Sequence, residues 1–261
     1  MTNIKQKFWG RKAFYLGVLV VLFSILVVAC NDQNATATPT PLPPTPTPVP
    51  PTPTPLPDPK TIARNSADKL LEVNSLHFVV DIQQGKVDLY QGITLKKADG
   101  DWLKPDKFQA NLRIGIAAGQ ADAQTIGVGN QQWLQAKGLF NQWLPLPADV
   151  GFKPDVLFDK DKGLGATAAK LNDLKLVGTE TVGGVECYHL NGTVPGPDIA
   201  PLTAGTLGKN DVLFDMWVGK ADGLTRQVTF KETGTADPKT ASSWLITFSK
   251  FNDPVTINKP V

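Results

Sequence analysis

The segment from Pro39 to Pro59 sets the strongest limit on what this chain can fold into. It holds 12 of the 22 prolines in a sequence of 261 residues. They fall in a seven-residue repeat: Pro39-Thr-Pro-Leu-Pro-Pro-Thr45, Pro46-Thr-Pro-Val-Pro-Pro-Thr52 and Pro53-Thr-Pro-Leu-Pro-Asp-Pro59. Proline fixes φ, lacks an amide donor and restrains the residue before it, so neither a helix nor a sheet ladder runs through such a stretch. The favoured form is a semi-rigid polyproline II helix. The 29 residues from Asn31 to Pro59 then reach on the order of 90 Å at ~3.1 Å each. The chain therefore divides into residues 1–29, residues 30–59 and a folding-competent part, residues 60–261.

Residues 1–29 have the layout of a secretory signal. Lys5, Lys7, Arg11 and Lys12 precede an apolar run of 17 residues, Ala13 to Ala29, broken only by Gly17 and Ser24. That length sits at the short end of what spans a bilayer, so an uncleaved anchor competes with a cleaved signal. The run ends Leu26-Val27-Val28-Ala29-Cys30, which resembles the lipobox of bacterial lipoproteins. By that resemblance Cys30 carries a diacylglycerol on its sulfur and becomes the new N-terminus after cleavage behind Ala29. Two or three acyl chains, at about 0.8 kcal/mol per buried CH₂, anchor stably where one does not. The expected location is the outer face of the cytoplasmic membrane, tethered rather than spanning.

The only other cysteine is Cys187, so a lipidated Cys30 leaves no intramolecular disulfide to form. Cys187 lies in an apolar stretch and reads as a small buried hydrophobe. The whole chain has 26 basic and 24 acidic residues, a mild basic bias that disappears on division. Four of the basic residues precede position 13, and Asp32 and Asp58 belong to the linker, so residues 60–261 carry 22 of each sign. No charge argument for an anionic partner survives.

Within residues 60–261, Thr61 to Val73 places Ile62, Leu70 and Val73 near one helical face. Leu76, Phe78, Val80 and Ile82 alternate with His77, Val79 and Asp81, and the same period returns at Phe108, Ala110, Leu112, Ile114 and Ile116. Further strands are expected at 121–128, 132–137, 174–181, 186–193, 212–218, 224–231 and 243–251. Gly183-Gly184 and Ala221-Asp222-Gly223 signal hairpins. Val156–Leu171 and Ile199–Leu202 read as further helix. Many antiparallel strands with few helices indicate an α+β fold, a large curved antiparallel sheet with helices on one face.

An ordered set of short motifs adds to this pattern. Asp159-Lys-Asp-Lys-Gly-Leu164 is followed by Leu171-Asn-Asp-Leu-Lys-Leu-Val-Gly-Thr-Glu180, Val182-Gly-Gly-Val185 and Tyr188-His-Leu-Asn-Gly-Thr-Val-Pro195. Asp101-Trp-Leu-Lys-Pro-Asp-Lys107, Met216-Trp-Val218, Gly223-Leu224 and the ending Ile246-Thr-Phe-Ser-Lys-Phe-Asn-Asp-Pro-Val-Thr-Ile257 complete it. In this order the chain resembles the LppX/LprA/LprF/LprG lipoproteins of mycobacteria. The resemblance implies a half-barrel sheet closed by helices on its concave face, similar to the LolA/LolB carriers. It also implies a domain that binds acylated lipids or glycolipids and moves them within the cell envelope. The long Pro-Thr stalk departs from the family pattern.

A carrier needs apolar walls rather than catalytic groups. Candidate walls are Phe78, Val80 and Ile82, then Leu112, Ile114 and Ile116, with Trp133, Phe214 and Trp217 from later strands. Leu164, Ala168 and Leu171 are candidates for a lid. Ordinary core packing explains each of them equally well, because periodicity reveals an apolar face and not whether that face is filled. No G-x-S-x-G, H-E-x-x-H or phosphate-loop motif occurs, and His77 and His189 lie on separate strands without a metal-ligating cluster. An enzyme, a cofactor, a bound metal and nucleic acid are therefore not expected. The expected protein is a monomer whose partners are an acylated lipid, the membrane and an envelope transporter. The alternative is a structural or adaptor lipoprotein with a filled core that binds a protein partner.

The anchor has a direct test. Cys30→Ala is expected to abolish incorporation of radiolabelled palmitate and to leave an unprocessed precursor or a soluble product; a variant still labelled and processed would place the lipid elsewhere.

Overall fold

A helix begins where the proline repeat ends, and the junction residues explain why. Asp58 accepts hydrogen bonds from the Thr61 amide and hydroxyl, both at 2.8 Å, and Pro59 occupies the first turn, where no amide donor is needed. These bonds from Thr61 hold the Asp58 carboxyl below its ordinary value. The resulting helix α1, Pro59–Glu72, buries Ile62, Ala63, Ser66 and Leu70 along one side. The structure, a computed structural model, describes residues 56–90, 92–147, 154–203, 205–235 and 241–260. The expected signal segment, Cys30 and most of the stalk lie outside the described residues.

After α1 come β1 (Ser75–Gln84), β2 (Val87–Tyr90), β3 (Ile93–Leu103), β4 (Lys107–Ile116), β5 (Gly119–Val128), β6 (Gln131–Ala136) and β7 (Phe140–Leu146). A 3-10 turn, Pro154–Phe158, and helix α2, Leu164–Lys170, separate these from β8 (Lys175–Val182) and β9 (Val185–Val194). Helix α3, Gly196–Ile199, runs into a second 3-10 turn, Ala200–Thr203, before β10 (Val212–Gly219), β11 (Thr225–Glu232) and β12 (Ser243–Ser249). All twelve strands form one antiparallel sheet in the order β7-β6-β5-β4-β3-β1-β12-β11-β10-β9-β8, with β2 paired only to β3. The fold is the expected α+β class, one large curved open sheet with its helices on one face.

Alternation along the strands makes one face predominantly apolar, with Thr125, Gln132 and Thr225 as its buried polar members. Phe78 sits between Phe248 and Gly100, Val80 between Ile246 and Ala98, and Ile82 opposite Trp244. Leu112 lies between Ala98 and Ala123, and Phe214 between Phe230 and Gly192. The path from β3 to β5 is paved with small residues, Ala98, Gly100, Ala110, Ala123 and Gly127, which leave room above the backbone for larger neighbours. At Gly127 the room is taken by the Phe108 ring, whose edge stands where a Cβ would be.

The expected strands are present, and three more appear. In β3 the inward residues include Ala98 and Gly100, between Lys97, Asp99 and Asp101. Such small inward side chains give no hydrophobic alternation to detect. β2 is only four residues long, and β7 is an edge strand containing Pro145. The expected helix Val156–Leu171 is corrected to the 3-10 turn and the seven-residue α2. The Asp159 carboxylate accepts from the amides of Asp161 and Lys162, both at 2.8 Å, which takes those donors from a continuous helix.

α1 and α2 pack on each other with almost no space between them. A Cβ on Gly165 would lie 2.7 Å from the Ala67 Cβ and 2.9 Å from the Ala63 carbonyl oxygen. α1 is also tied to the sheet by a buried hydroxyl pair, Ser66 Oγ and Thr225 Oγ1 at 2.8 Å. Gly165→Val is expected to lower the denaturation free energy of the full chain by about 1–3 kcal/mol through overpacking. An unchanged urea midpoint would mean that the two helices do not meet at Gly165.

Candidate functional site

The apolar face and its cover form the candidate site. α1 and α2 lie over it, and the 3-10 turn adds Phe158, whose ring is 4.9 Å from Trp102 and 5.6 Å from Phe248. A second aromatic series crosses the other half of the sheet: Phe214 to Phe230 at 5.7 Å and Phe230 to Trp244 at 6.4 Å. Edge-to-face and tilted pairs at these separations add to the burial of large apolar areas.

Ten of the twelve expected wall and lid residues belong to this layer. Phe78, Ile114, Leu164, Ala168 and Phe214 are completely shielded from water, and Val80 nearly so. Ile82, Leu112 and Leu171 keep a few per cent of their surface, and Ile116 is half-buried at the end of β4. Trp133 and Trp217 require correction, since both lie on the outer face. Trp133 pairs with Ile126 and Pro145, while its neighbours Gln132, Leu134 and Ala136 are the buried members of β6. Trp217 is three residues from Phe214, an odd spacing that reverses the face in a strand. It stacks on His189 with 4.3 Å between centroids.

A cleft of about 490 Å³ opens at the margin of the cover, beside the end of α2, and is lined in part by Thr167, Leu171, Thr193, Pro195 and Pro201. A second, of about 320 Å³, lies on the outer face of β4, β5 and β6 among Asn111, Asp122, Gln124 and Gln135. The expected lid residue Leu171 is thus both an inward contact and part of a cleft. Gly192 makes its inward position possible, since a Cβ there would stand 2.9 Å from Leu171 Cδ1.

The polar chemistry sits mostly on the opposite side. His77 Nδ1 is 2.9 Å from Asp101, and its Nε2 is 3.4 Å from Asp99. His189 has its two ring nitrogens 2.8 Å from Glu180 and 2.8 Å from Asp215, while Asn191 and Thr229 also donate to Asp215. Among the described residues no group of three or more His, Cys, Asp or Glu side chains is arranged to hold a metal ion. Cys187 is a buried free thiol, and burial pushes its pKa up, which disfavours the thiolate.

The inner layer holds two groups that sequence reasoning missed. Among the described residues, the Nε1 atoms of Trp102 and Trp244 are buried without a hydrogen-bond partner. An unsatisfied buried donor costs about 1–3 kcal/mol. Alternation alone could have placed Trp244 inward, opposite Ile82; Trp102 was hidden by the unrecognised strand β3.

With this geometry in place, sequence comparison decides the family. The profile of the LppX_LprAFG lipoproteins matches residues 58–257. The chain belongs to the LppX_LprAFG lipoprotein family. Among related LppX_LprAFG proteins, LprF of Mycobacterium bovis, assigned as a diacylated glycolipid transporter, is 22% identical over 259 residues, covering 93% of this chain and 89% of its own. LppX of Mycobacterium bovis, assigned as a phthiocerol dimycocerosate transporter, is 26% identical over 251 residues, covering 95% and 99%. The crystal structure of LprF from Mycobacterium bovis superposes with a TM-score of 0.61 at 18% identity, covering 77% of this chain and 96% of that one. That of LppX from Mycobacterium tuberculosis gives 0.56 at 21% identity, covering 77% and 98%. Chain topology is therefore shared well beyond side-chain identity.

The outer-face cluster has a pH signature. The Trp217 indole and then His189 donate to Glu180 and hold its carboxyl below the ordinary value of 4.5. A lowered carboxyl contributes stability that is full above that value and is lost as pH falls through the folded-state pKa. The thermal-midpoint gap between the parent and Glu180→Gln is expected to narrow as pH drops from about 6 to about 3. A gap constant across that range would remove Glu180 from the stabilising set.

Proposed function

We propose that this protein is a membrane-tethered carrier that binds acylated lipids or glycolipids between its apolar sheet face and the helices over it, and transfers them within the cell envelope. In this reading residues 1–29 are a cleaved signal, Cys30 bears the lipid at the outer face of the cytoplasmic membrane, and residues 30–59 are the stalk. Residues 60–261 form the binding domain, which works as a monomer and exchanges cargo with an envelope transporter. The reading asks the domain to carry cargo, with no catalytic step and no cofactor.

The observation that carries the proposal is a predominantly apolar face covered by short, separate pieces. α2 has seven residues, the first 3-10 turn five and α3 four. Helices this short have little stability of their own, so the cover is held by its contacts with the face and with α1. Replacing those contacts with acyl chains exchanges one apolar surface for another. Desorbing a sixteen-carbon chain from a bilayer into water costs more than about 10 kcal/mol at 0.8 kcal/mol per CH₂, and an apolar receiving surface removes most of that barrier. The cleft beside Leu171 provides a point where such exchange begins. The assigned roles of LprF and LppX support the same cargo class.

The complete shielding of Phe78, Ile114, Leu164, Ala168 and Phe214 favours the second reading, an adaptor lipoprotein with a permanently filled core. The two readings separate by experiment. The full chain, purified from membranes and examined by native mass spectrometry, is expected to carry co-purifying acylated lipid and, once stripped, to take up a fluorescent fatty acyl probe. A chain that arrives ligand-free and leaves the probe in solution refutes the carrier.

A further inference from the structure

Trp102 and Trp244 occupy opposite ends of the apolar face. Trp102 pairs with Leu76 near the start of β1, and Trp244 pairs with Ile82 near its end. Six residues of strand separate these positions, on the order of 20 Å at ~3.3 Å per residue. Each indole is surrounded by apolar groups. Trp102 lies between Leu76 and Phe108 across the sheet with Phe158 over it, and Trp244 lies between Ile82 and Phe230. The side chains are only 5% and 3% exposed. Among the described residues neither Nε1 atom meets an acceptor.

Indole nitrogen donates and does not accept. Phenylalanine would fill most of the same volume without leaving a donor unpaired, so nothing in the closed packing uses these two N–H groups. What they lack is an acceptor that arrives from an otherwise apolar partner. A free fatty tail brings none, whereas an ester- or amide-linked acyl chain brings a carbonyl oxygen directly attached to its hydrocarbon. Phe158 belongs to the short 3-10 turn of the cover, so displacement of that turn uncovers Trp102 first.

We propose that the indole N–H groups of Trp102 and Trp244 are ligand donors that bind the linking carbonyl of an acyl chain laid on the apolar face, so that the protein selects acyl-linked lipids over alkyl-ether lipids of equal chain length. This rests on the carrier reading and adds a specificity to it. The bond forms only when cargo displaces the cover, and the donors stay unpaired in the closed state. Trp→Phe substitution therefore affects the two states differently: it removes a buried unpaired donor from the empty protein and a paired one from the loaded protein.

The test compares 1,2-dipalmitoylglycerol with its ether analogue 1,2-dihexadecylglycerol, which lacks both carbonyls. The two are mixed in equal amounts with the full chain, and the bound fractions are read by native mass spectrometry. The parent is expected to favour the ester by about fivefold to tenfold, the worth of one neutral hydrogen bond. In Trp102→Phe or Trp244→Phe that ratio is expected to fall towards one while ether binding is retained, and the variant that loses it names the donor. A parent that binds both lipids equally overturns the proposal and leaves the carrier intact, as does a preference that survives in both variants. Binding of neither lipid overturns the carrier reading and this inference together. The parent's ratio requires no substitution, so the outcome does not depend on the variants folding.

Discussion

A sheet that neither closes on itself nor faces a second sheet has to bury one side under something else. Here the twelve described strands present a largely apolar surface, and the described material that covers it is small. Among the described residues only α1, at 14 residues, is long enough to resemble an ordinary helix, and it is secured at three places. Asp58 caps its start, the Ser66–Thr225 hydroxyl pair fixes its middle to β11, and Gly165 admits α2 against its flank. Without that last contact α2 would have only its sheet-facing residues to hold it. The hydrophobic effect supplies the attraction, but it is non-directional. Position is set by a cap, a hydroxyl pair and a missing Cβ.

Indole groups on the two faces of the sheet are treated differently, although the inner face also holds paired hydroxyls at Ser66 and Thr225. On the outer face His189, Glu180, Asp215, Asn191, Thr229 and Trp217 satisfy one another, and a long indole reaches a carboxylate at 2.9 Å. On the inner face two indoles of the same chemistry reach no acceptor among the described residues. Buried polar groups in folded proteins are normally paired, so an unpaired one calls for a specific explanation. That contrast within one molecule makes the inner donors informative.

Much of the architecture was legible because large residues repeat with period two in β1, β4 and β10, and because Gly183-Gly184 and Asp222-Gly223 mark turns by backbone chemistry. What escaped did so for identifiable reasons. β3 carries its inward positions as Ala98 and Gly100, too small to register as a pattern, and with it went Trp102. The Asp159 side chain divides a stretch whose composition favours helix. Trp133 and Trp217, expected as walls, lie outward by the strand period, where Lys259 lies over one ring and His189 stacks on the other. The candidate site was legible as a face and not as a state. Periodicity identifies the apolar side, while filling and opening depend on the cover, whose pieces are too short to leave a periodic trace.

The sheet ends in two unjoined edges, β7 and β8. A closed barrel has a circumference fixed by strand number and stagger, and enlarging its interior means breaking ladder bonds. An open sheet has no such hoop. Its curvature can relax through small changes of twist distributed over ten interfaces along the main path, each ladder remaining intact. The curvature of the apolar face is therefore an elastic quantity, and Pro145 on β7, which lacks an amide donor, makes one of those free margins a poorer partner for another chain.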